Sequence, residues 1–453
     1  MKKKLTVSET IFVASMLFGM FFGAGNLIFP VHMGQLAGSN MIPAVIGFIV
    51  TGVGLPLLGV AALGISKSSG LQEMASRVGK GYGIFFTCAL YLTIGPCFAI
   101  PRCATTSFTV GFAPLISSNQ RIAGAVFSAV FFAVALFFTL RPTKILTWVG
   151  KIINPVFLIF LAALIVISLV SPTASVRDVV PDETYVSGAF FNGFLEGYNT
   201  MDALASLAFG IVVVNVIRDL GVKNEEHVAA NTVKSGIFSC VIMAVVYIGV
   251  TVVGVQSRGA FEVSENGGIA LAEICGHYFG RMGQIFLAVT VTLACLKTVI
   301  GLMTSVSETF VKMFPKSPGY TFWAIIFCVF SFLVANLGLS SIITYAVPVL
   351  MFLYPLAITL ILLSLFGKLF GHDRAVYRSV TLFTLVAAVF DFLSAMPEPV
   401  ASKLHLDAVT AVAARILPFF KLGLGWVVPA LIGLVIGLII HFVNKTRNTA
   451  AKA

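Results

Sequence analysis

Residues 19–30 read GMFFGAGNLIFP, inside the first long apolar run of the chain, from about Ile11 to Leu36. A membrane-spanning helix wants about 20 apolar residues and an unbroken hydrogen-bond ladder. Gly23, Gly25, Asn26 and Pro30 are poor material for that ladder. A helix that unwinds at Gly23–Asn26 exposes backbone groups inside the bilayer, where each unpaired group costs several kcal/mol. The break is tolerable where a polar ligand satisfies those groups. The second half-helix then points the N–H groups near Ala24, Gly25 and Asn26 into the gap, a partly positive end that suits a carboxylate. The first half-helix ends over Gly19–Phe22 with free carbonyls, which suit an ammonium or a metal cation. A zwitterion matches both ends. The plainer alternative is that the glycines only let two helices pack closely.

The composition fits a membrane. Of 453 residues, 58% are hydrophobic and 10% charged, against about 25% charged in a soluble domain. The net charge of +11 does not mark a nucleic-acid partner, because the basic residues recur in alternate loops. With the N-terminus inside, cytoplasmic segments hold Lys2, Lys3, Lys4, Lys67, Arg77, Lys80, Arg141, Lys144, Lys151, Arg218, Lys223, Lys234, Lys312, Lys316, Lys368, Arg374, Arg378, Lys445, Arg447 and Lys452. Outer loops hold Arg121, Arg177, Arg258, Arg281, Lys403, Arg415 and Lys421, while Arg102 and Lys297 fall in apolar segments. This asymmetry predicts both termini in the cytoplasm. The MKKK start followed by a long apolar run without a small-x-small cleavage site reads as an uncleaved first span. The seven cysteines show no metal-ligand spacing and read as packing residues.

Twelve spans are expected, at roughly 9–36, 41–66, 82–112, 121–140, 145–171, 190–217, 229–256, 281–312, 319–336, 339–366, 376–396 and 423–443. Residues 257–280 read as an outer loop with a short amphipathic helix. Span six, FFNGFLEGYNTMDALASLAFG, carries Gly193, Gly197, Asn199, Thr200 and Asp202 in its first half. The two interrupted spans are five apart, so successive five-span units are oppositely oriented. That pattern points to an inverted-repeat secondary transporter with a site at mid-membrane. The fold expected is an all-α polytopic membrane protein, with repeats at 9–171 and 190–366 and two further helices at 376–443.

The stretches FGAGNLIFP (22–30), GPCFAIPR (95–102), GYNTMDALASLAFGIVV (197–213), ACLKTVIGL (294–302) and ANLGLSSIITYAVPVL (335–350) keep one order along nearly the whole chain. Together they resemble the bacterial branched-chain amino acid:cation symporters of the BrnQ type. The resemblance implies a plasma-membrane symporter of the leucine-transporter fold that carries leucine, isoleucine and valine, usually with sodium. It implies that Gly23, Ala24, Gly25 and Asn26 meet the substrate carboxylate and that the Phe21 carbonyl faces its amine. Tyr198, Asn199, Thr200 and Asp202 are the candidates around the sixth-span break. Ile94 and Phe98 are expected as apolar walls, since span three borders the site in that fold. The resemblance also implies a sodium site between the carbonyls of Gly19 and Phe22 and two adjacent hydroxyls on span eight. Here only Thr298 keeps a hydroxyl, and Lys297 stands where the motif more often has Thr. Its ammonium is a candidate substitute for the metal ion, so the coupling ion is sodium or a proton, with no other cofactor expected.

Other ionisable residues divide by depth. Asp202 would be expensive in lipid and is expected to face the bundle interior, as a partner of the amine or ion or paired with Arg102. Glu196 lies nearer the outer end of its span. Arg102, 20 residues after Tyr82 and about 30 Å along an ideal helix, is expected at the outer interface as an anchor or gate. Asp391 reads as interfacial or as packing between copies. An enzyme is disfavoured by six scattered His and the lack of a Ser nucleophile motif, and an ATP-driven pump by the lack of a Walker A stretch. A channel would want a continuous polar pore. A carrier of another hydrophobic solute is the nearest alternative. The partners expected are the amino acid and the bilayer, with the oligomeric state open.

Overall fold

The computed structural model describes residues 4–116, 119–141, 145–222 and 224–450, with the side chains of 145–154, 225 and 447–450 left aside. The basic residues Lys2, Lys3, Lys144, Lys223 and Lys452 lie outside the described residues, as do the side chains of Lys151 and Arg447. Among the described residues there is no β-strand.

Each of the twelve expected segments falls on helix. Among the described residues, eight helices are long and apolar enough to cross a membrane, and a ninth span forms if one bent pair is counted together. The first expected span is two helices, α1 (Val7–Phe21) and α2 (Gly25–Ala37). Span two is α3 (Met41–Ile49) and α4 (Leu55–Ile65), joined by a wide turn at Val50–Gly54. Span three is α5 (Lys80–Leu92) and α6 (Ala99–Ser107), kinked where Gly95 leaves helical geometry (φ −99°, ψ −122°) before Pro96. Then come α7 (Gln120–Leu140) and α8 (Ile145–Val170). Span six is α9 (Ala189–Glu196) and α10 (Asp202–Asp219), bent by 46°. The rest are α11 (Glu225–Ser257), α12 (Gly267–Met313), α13 (Tyr320–Ala335), α14 (Leu339–Leu365), α15 (Arg374–Ser394), α16 (Leu406–Ile416) and α17 (Val427–Ala450).

The packing repeats itself. Both halves of the first broken span, α1 and α2, pack on α11, and both halves of the second, α9 and α10, pack on span two, through α3 and α4 respectively. Likewise α8 packs on α11 and α12, while α14 packs on α4 and α6. Each of these contacts in one five-span set thus has its counterpart in the other, the pattern of an inverted repeat. Beyond the repeats, α15 packs against α14 and α17.

Glycines mark where backbones touch. A Cβ on Gly34 would fall 2.2 Å from the Thr251 carbonyl oxygen, and one on Gly254 2.1 Å from that of Val31, so α2 and α11 approach backbone to backbone. Gly47 and Gly193 do the same for α3 and α9, at 2.0 Å from Phe190 O and 1.9 Å from Ala44 O. Close packing of these two helix pairs is therefore carried by these four positions. Gly23 and Gly25 differ: their nearest neighbours include the side chains of Asn26, Thr298, Phe29 and Arg102 rather than another helix backbone.

Residues 267–279 do form a helix ahead of the eighth span, separated from it at Gly280 (φ 60°). It is not merely laid over the surface. Leu271, Ile274 and Cys275 are buried, and a Cβ on Gly267 would strike Ile28 O at 1.7 Å, so this segment is wedged against α2. All seven cysteines are free thiols.

The first described residues and the last helix meet at one end of the bundle. Leu5 N donates to Asn231 Oδ1 near the start of α11 (3.1 Å), and His441 in α17 meets Asp373 before α15 (2.6 Å). Lys368 and Glu226 (3.9 Å), and Arg77 and His372 (2.7 Å), tie the same end together.

Candidate functional site

The two breaks meet. α1 ends at Phe21, Phe22 is extended (φ −71°, ψ 104°), and helix resumes at Gly25. Asn26 turns its side chain back into the gap, where Oδ1 accepts from Gly23 N at 2.8 Å. Its Nδ2 donates to Asp202 Oδ2 (2.5 Å) and to the Tyr247 hydroxyl, and Tyr247 in turn donates to Asp202 Oδ2 (3.3 Å). Across the gap, span six narrows to a tight turn at Gly197–Thr200, then Met201 adopts a left-handed conformation (φ 63°). That geometry is costly for a residue with a side chain and is sustained only by its surroundings. Asp202 N donates to Thr200 Oγ1 at 3.3 Å, which gives the first N–H of α10 a partner. Asp202 is 3% exposed and so lies inside the bundle.

Arg102 corrects the sequence reading. It is 5% exposed, not at an outer interface. The kink at Gly95–Pro96 ends the straight-helix reckoning, and α6 carries the guanidinium into the core. There it donates to the carbonyls of Asn199 (2.5 Å) and Thr200 (3.3 Å) and lies over the Phe29 ring (5.1 Å). Charged donors are worth more than neutral ones to backbone carbonyls left free by a helix break. Arg102 is not hydrogen-bonded to Asp202. Its Nη2 would sit 3.0 Å from a Cβ on Gly25, so it faces the start of α2.

A cavity of about 440 Å³ opens from the two breaks. Gly19, Phe21, Gly23, Ala24, Gly25, Asn26, Ile94, Arg102, Thr200, Asp202, Lys297 and Thr298 all line it. Its lower part is walled by Phe209, Val212, Leu302 and Gly301, and it reaches Thr304, Ser305 and Glu308, toward the end where the first described residues and the last helix meet. The N–H groups of Gly25 and Asn26, in the first turn of α2, have no acceptor within their own helix. The site thus joins a buried carboxylate, a buried guanidinium and a helix N-terminus above an apolar chamber. A small zwitterion with an aliphatic side chain fits that division.

Thr298 Oγ1 donates to Ala294 O (3.1 Å) and lies 3.9 Å from a Cβ on Gly23, which puts span eight beside the first break. Lys297 is half-buried, lines the same cavity, and has no hydrogen-bond or ion-pair partner among the described residues. It does not pair with Asp202.

Three expected wall or site residues lie elsewhere, and one lines a separate small pocket. Tyr198 and Asn199 line a second cavity of about 800 Å³ on the opposite side of the span-six turn, together with Glu196, whose carboxylate accepts from Asn199 Nδ2 (3.1 Å). The left-handed Met201 breaks and bends the span between Asn199 and Asp202, and the four candidate residues divide between two cavities. Phe98 lines neither cavity and packs against the core, because the kink turns it away. The Phe22 ring stacks on Phe18 (4.8 Å) in a small apolar pocket with Phe157. Asp391 is 1% exposed and therefore neither interfacial nor available to a second copy. Sequence reasoning missed Tyr247, whose hydroxyl in the apolar stretch VIMAVVYIGV was the available signal.

Relatives bear on this arrangement. The family described as branched-chain amino acid transport protein matches residues 6–444. This chain belongs to that family. It is 46% identical to the branched-chain amino acid permease BrnQ of Lactobacillus delbrueckii subsp. lactis over 99% of this chain and 100% of that one. To the permease BrnQ of Bacillus subtilis (strain 168) it is 40% identical, over 98% and 100%. Among solved structures it is similar to Mhp1, a nucleobase-cation-symport-1 family transporter, in a closed conformation (TM-score 0.59, 16% identity, 96% of this chain and 93% of that one). That likeness is one of fold.

Proposed function

We propose that this chain is a bacterial plasma-membrane symporter that imports leucine, isoleucine and valine by alternating access, with both termini in the cytoplasm. The observation that carries the reading is the meeting of two broken helices at a cavity with Asp202, Arg102 and the start of α2 at its head and aliphatic walls below. The substrate amine pairs with Asp202, whose Oδ2 is already oriented by Asn26 and Tyr247. The carboxylate takes the N–H groups of Gly25 and Asn26, next to Arg102. The side chain fills the chamber of Ile94, Phe209, Val212 and Leu302. Membership of the family and the printed names of its permeases support the substrate class.

The two cavities support alternating access. The cytoplasmic one holds the site, the outer one holds Tyr198 and Asn199, and the turn at 197–200 with Arg102 stands between them. Two five-span units, 9–171 and 190–366, rock about this layer to expose the site to one side at a time. The coupling ion is a proton. Lys297 puts an ammonium beside Thr298, in the same cavity, where a sodium ion would otherwise lie.

Purified protein in liposomes gives the test. Uptake of labelled leucine saturates with concentration and is competed by isoleucine and valine. Flux that never saturates points to a channel, and saturable uptake of leucine untouched by the other two, or none at all, contradicts the substrate assignment.

A further inference from the structure

One arginine fastens the connector between spans two and three to the turn after α14. Arg77 Nη1 meets His372 Nδ1 (2.7 Å) and donates to the Tyr377 hydroxyl (3.3 Å), while Nη2 donates to the Ser66 carbonyl at the end of α4. Tyr377 in α15 passes the contact on, donating to Leu363 O near the end of α14 (3.0 Å). A single guanidinium therefore joins the ends of α4 and α14 to the start of α15. The seat for the imidazole is built. Gly367 leaves room for it, since a Cβ there would strike His372 Nδ1 at 2.1 Å. His372 holds a left-handed backbone (φ 53°), which a residue with a side chain keeps only where its surroundings hold it. Its N–H donates to Gly367 O (2.8 Å) and closes the turn.

The hydrogen-bond roles fix the protonation state. A guanidinium can only donate, so His372 Nδ1 accepts with its lone pair and the ring proton is on Nε2. The Tyr377 O–H is committed to Leu363 O. A second proton, on Nδ1, takes the place of that lone pair and sets two cations N–H to N–H. Among the described residues no carboxylate is ion-paired with Arg77 or His372. Asp373 is turned to His441 (2.6 Å) and Ala375 N (2.8 Å), Glu73 of the connector to Ser69 (2.6 Å), and Glu226 of α11 to Lys368 (3.9 Å). The cations of these elements are Lys67, Lys80, Lys368, Arg374 and Arg378, and Arg378 Nε donates to Val78 O (3.0 Å). Burial, Arg77 and Lys368 together hold the imidazole below its ordinary pKa, so it is neutral near pH 7 and takes its second proton on acidification.

The end of α4 is not an isolated post. α4 runs against α10: a Cβ on Gly59 would fall 2.0 Å from Ser206 Oγ, and one on Gly210 3.2 Å from Val60 Cα. α10 in turn begins at Asp202. We propose that the Arg77–His372 contact is a pH-operated latch: with His372 neutral it holds the end of α4 to the turn after α14, and a proton on Nδ1 releases α4 together with α10. The latch is closed above the pKa of His372 and is lost as pH falls through it. It stands on its own geometry; only its consequence for the substrate cavity rests on the transport reading.

The test uses full-length protein in liposomes, with spin labels on cysteines placed at Gln72, in the connector helix Leu71–Ala75, and at Leu369, in the turn that ends at His372. Both side chains are exposed. The distance between the labels is read from about pH 7.5 to about pH 5.5. In the otherwise unaltered chain a second, longer separation grows as pH falls, along a single-proton curve with its midpoint below about 6.5. His372→Asn, a residue type that tolerates the left-handed backbone, removes the pH dependence. Arg77→Gln shows the longer separation at every pH. His441→Gln leaves the curve in place, because His441 serves Asp373 instead. A separation that does not change with pH, or a curve that persists in His372→Asn, overturns the proposal, as does loss of the curve in His441→Gln alone. If His372→Asn fails to fold, Arg77→Gln decides: a curve that survives without the guanidinium is contrary. Leucine binding is measured on the same samples at the higher pH. Its absence there counts against the transport reading, while the label distances still decide the latch.

Discussion

Gly25→Leu protein folds, inserts and binds no leucine. The substitution meets side chains rather than a neighbouring helix backbone: Arg102 Nη2 at 3.0 Å and Phe29 Cε2 at 3.3 Å from the first added carbon. Arg102 can swing away, but only by releasing the carbonyls of Asn199 and Thr200. The remaining carbons of the leucine then occupy the start of α2, where the substrate carboxylate is placed. Losing that charge-assisted contact removes about 1.5–3 kcal/mol, and exclusion by the side chain removes more. Affinity should fall at least about a hundredfold, equivalent to about 2.7 kcal/mol. Equilibrium binding of labelled leucine measures it, with a monodisperse elution profile as the fold control. Parent-like affinity in well-folded Gly25→Leu protein removes the first break from the site.

Parent protein takes up leucine equally well in sodium and in an impermeant organic cation, whereas Lys297→Thr requires sodium. Two unit charges about 5 Å apart repel by about 3 kcal/mol at an effective dielectric of 20. That disfavours sodium by more than about a hundredfold beside a charged Lys297. A threonine there restores the second hydroxyl beside Thr298 and removes the repulsion. Uptake driven by an imposed proton gradient alone should be present in the parent and lost in Lys297→Thr. Strict sodium dependence of the parent would leave Lys297 as a structural charge and return the coupling role to sodium.

Much of the architecture was legible in the chain because lipid imposes a simple code. Helix must satisfy its own backbone, so Gly23–Asn26 and Gly197–Asp202 announced themselves as breaks, and both are breaks. Asp202 was placed inside by cost alone, and it lies inside. What failed was direction. Arg102 was located by counting along a straight helix, and the wide turn at Thr93–Cys97 with Pro96 made the count meaningless. The positive φ of Met201 is not a property its residue type suggests, so the division of Tyr198 and Asn199 from Asp202 could not be read from spacing. Asp391 looked superficial because it is near the end of a helix. Its burial comes from the return of the chain at Gly423–Trp426, a contact between segments more than thirty residues apart. Glycine content likewise could not tell Gly34, which touches a neighbouring backbone, from Gly25, which does not.

The central claim is that leucine occupies the cavity between the two breaks, and Gly301 offers a direct way to see it. Gly301 lines that cavity, is exposed, and has no atom within 4 Å of a Cβ position, so Gly301→Cys fits without strain. The rate at which a water-soluble thiol reagent modifies the new cysteine, over the background of the native thiols, is measured with and without saturating leucine. The account predicts that leucine slows modification at least about tenfold, the mark of a site occupied most of the time, while alanine at the same concentration protects less. Modification at an unchanged rate in saturating leucine, by protein that transports leucine, would place the substrate elsewhere and contradict the account.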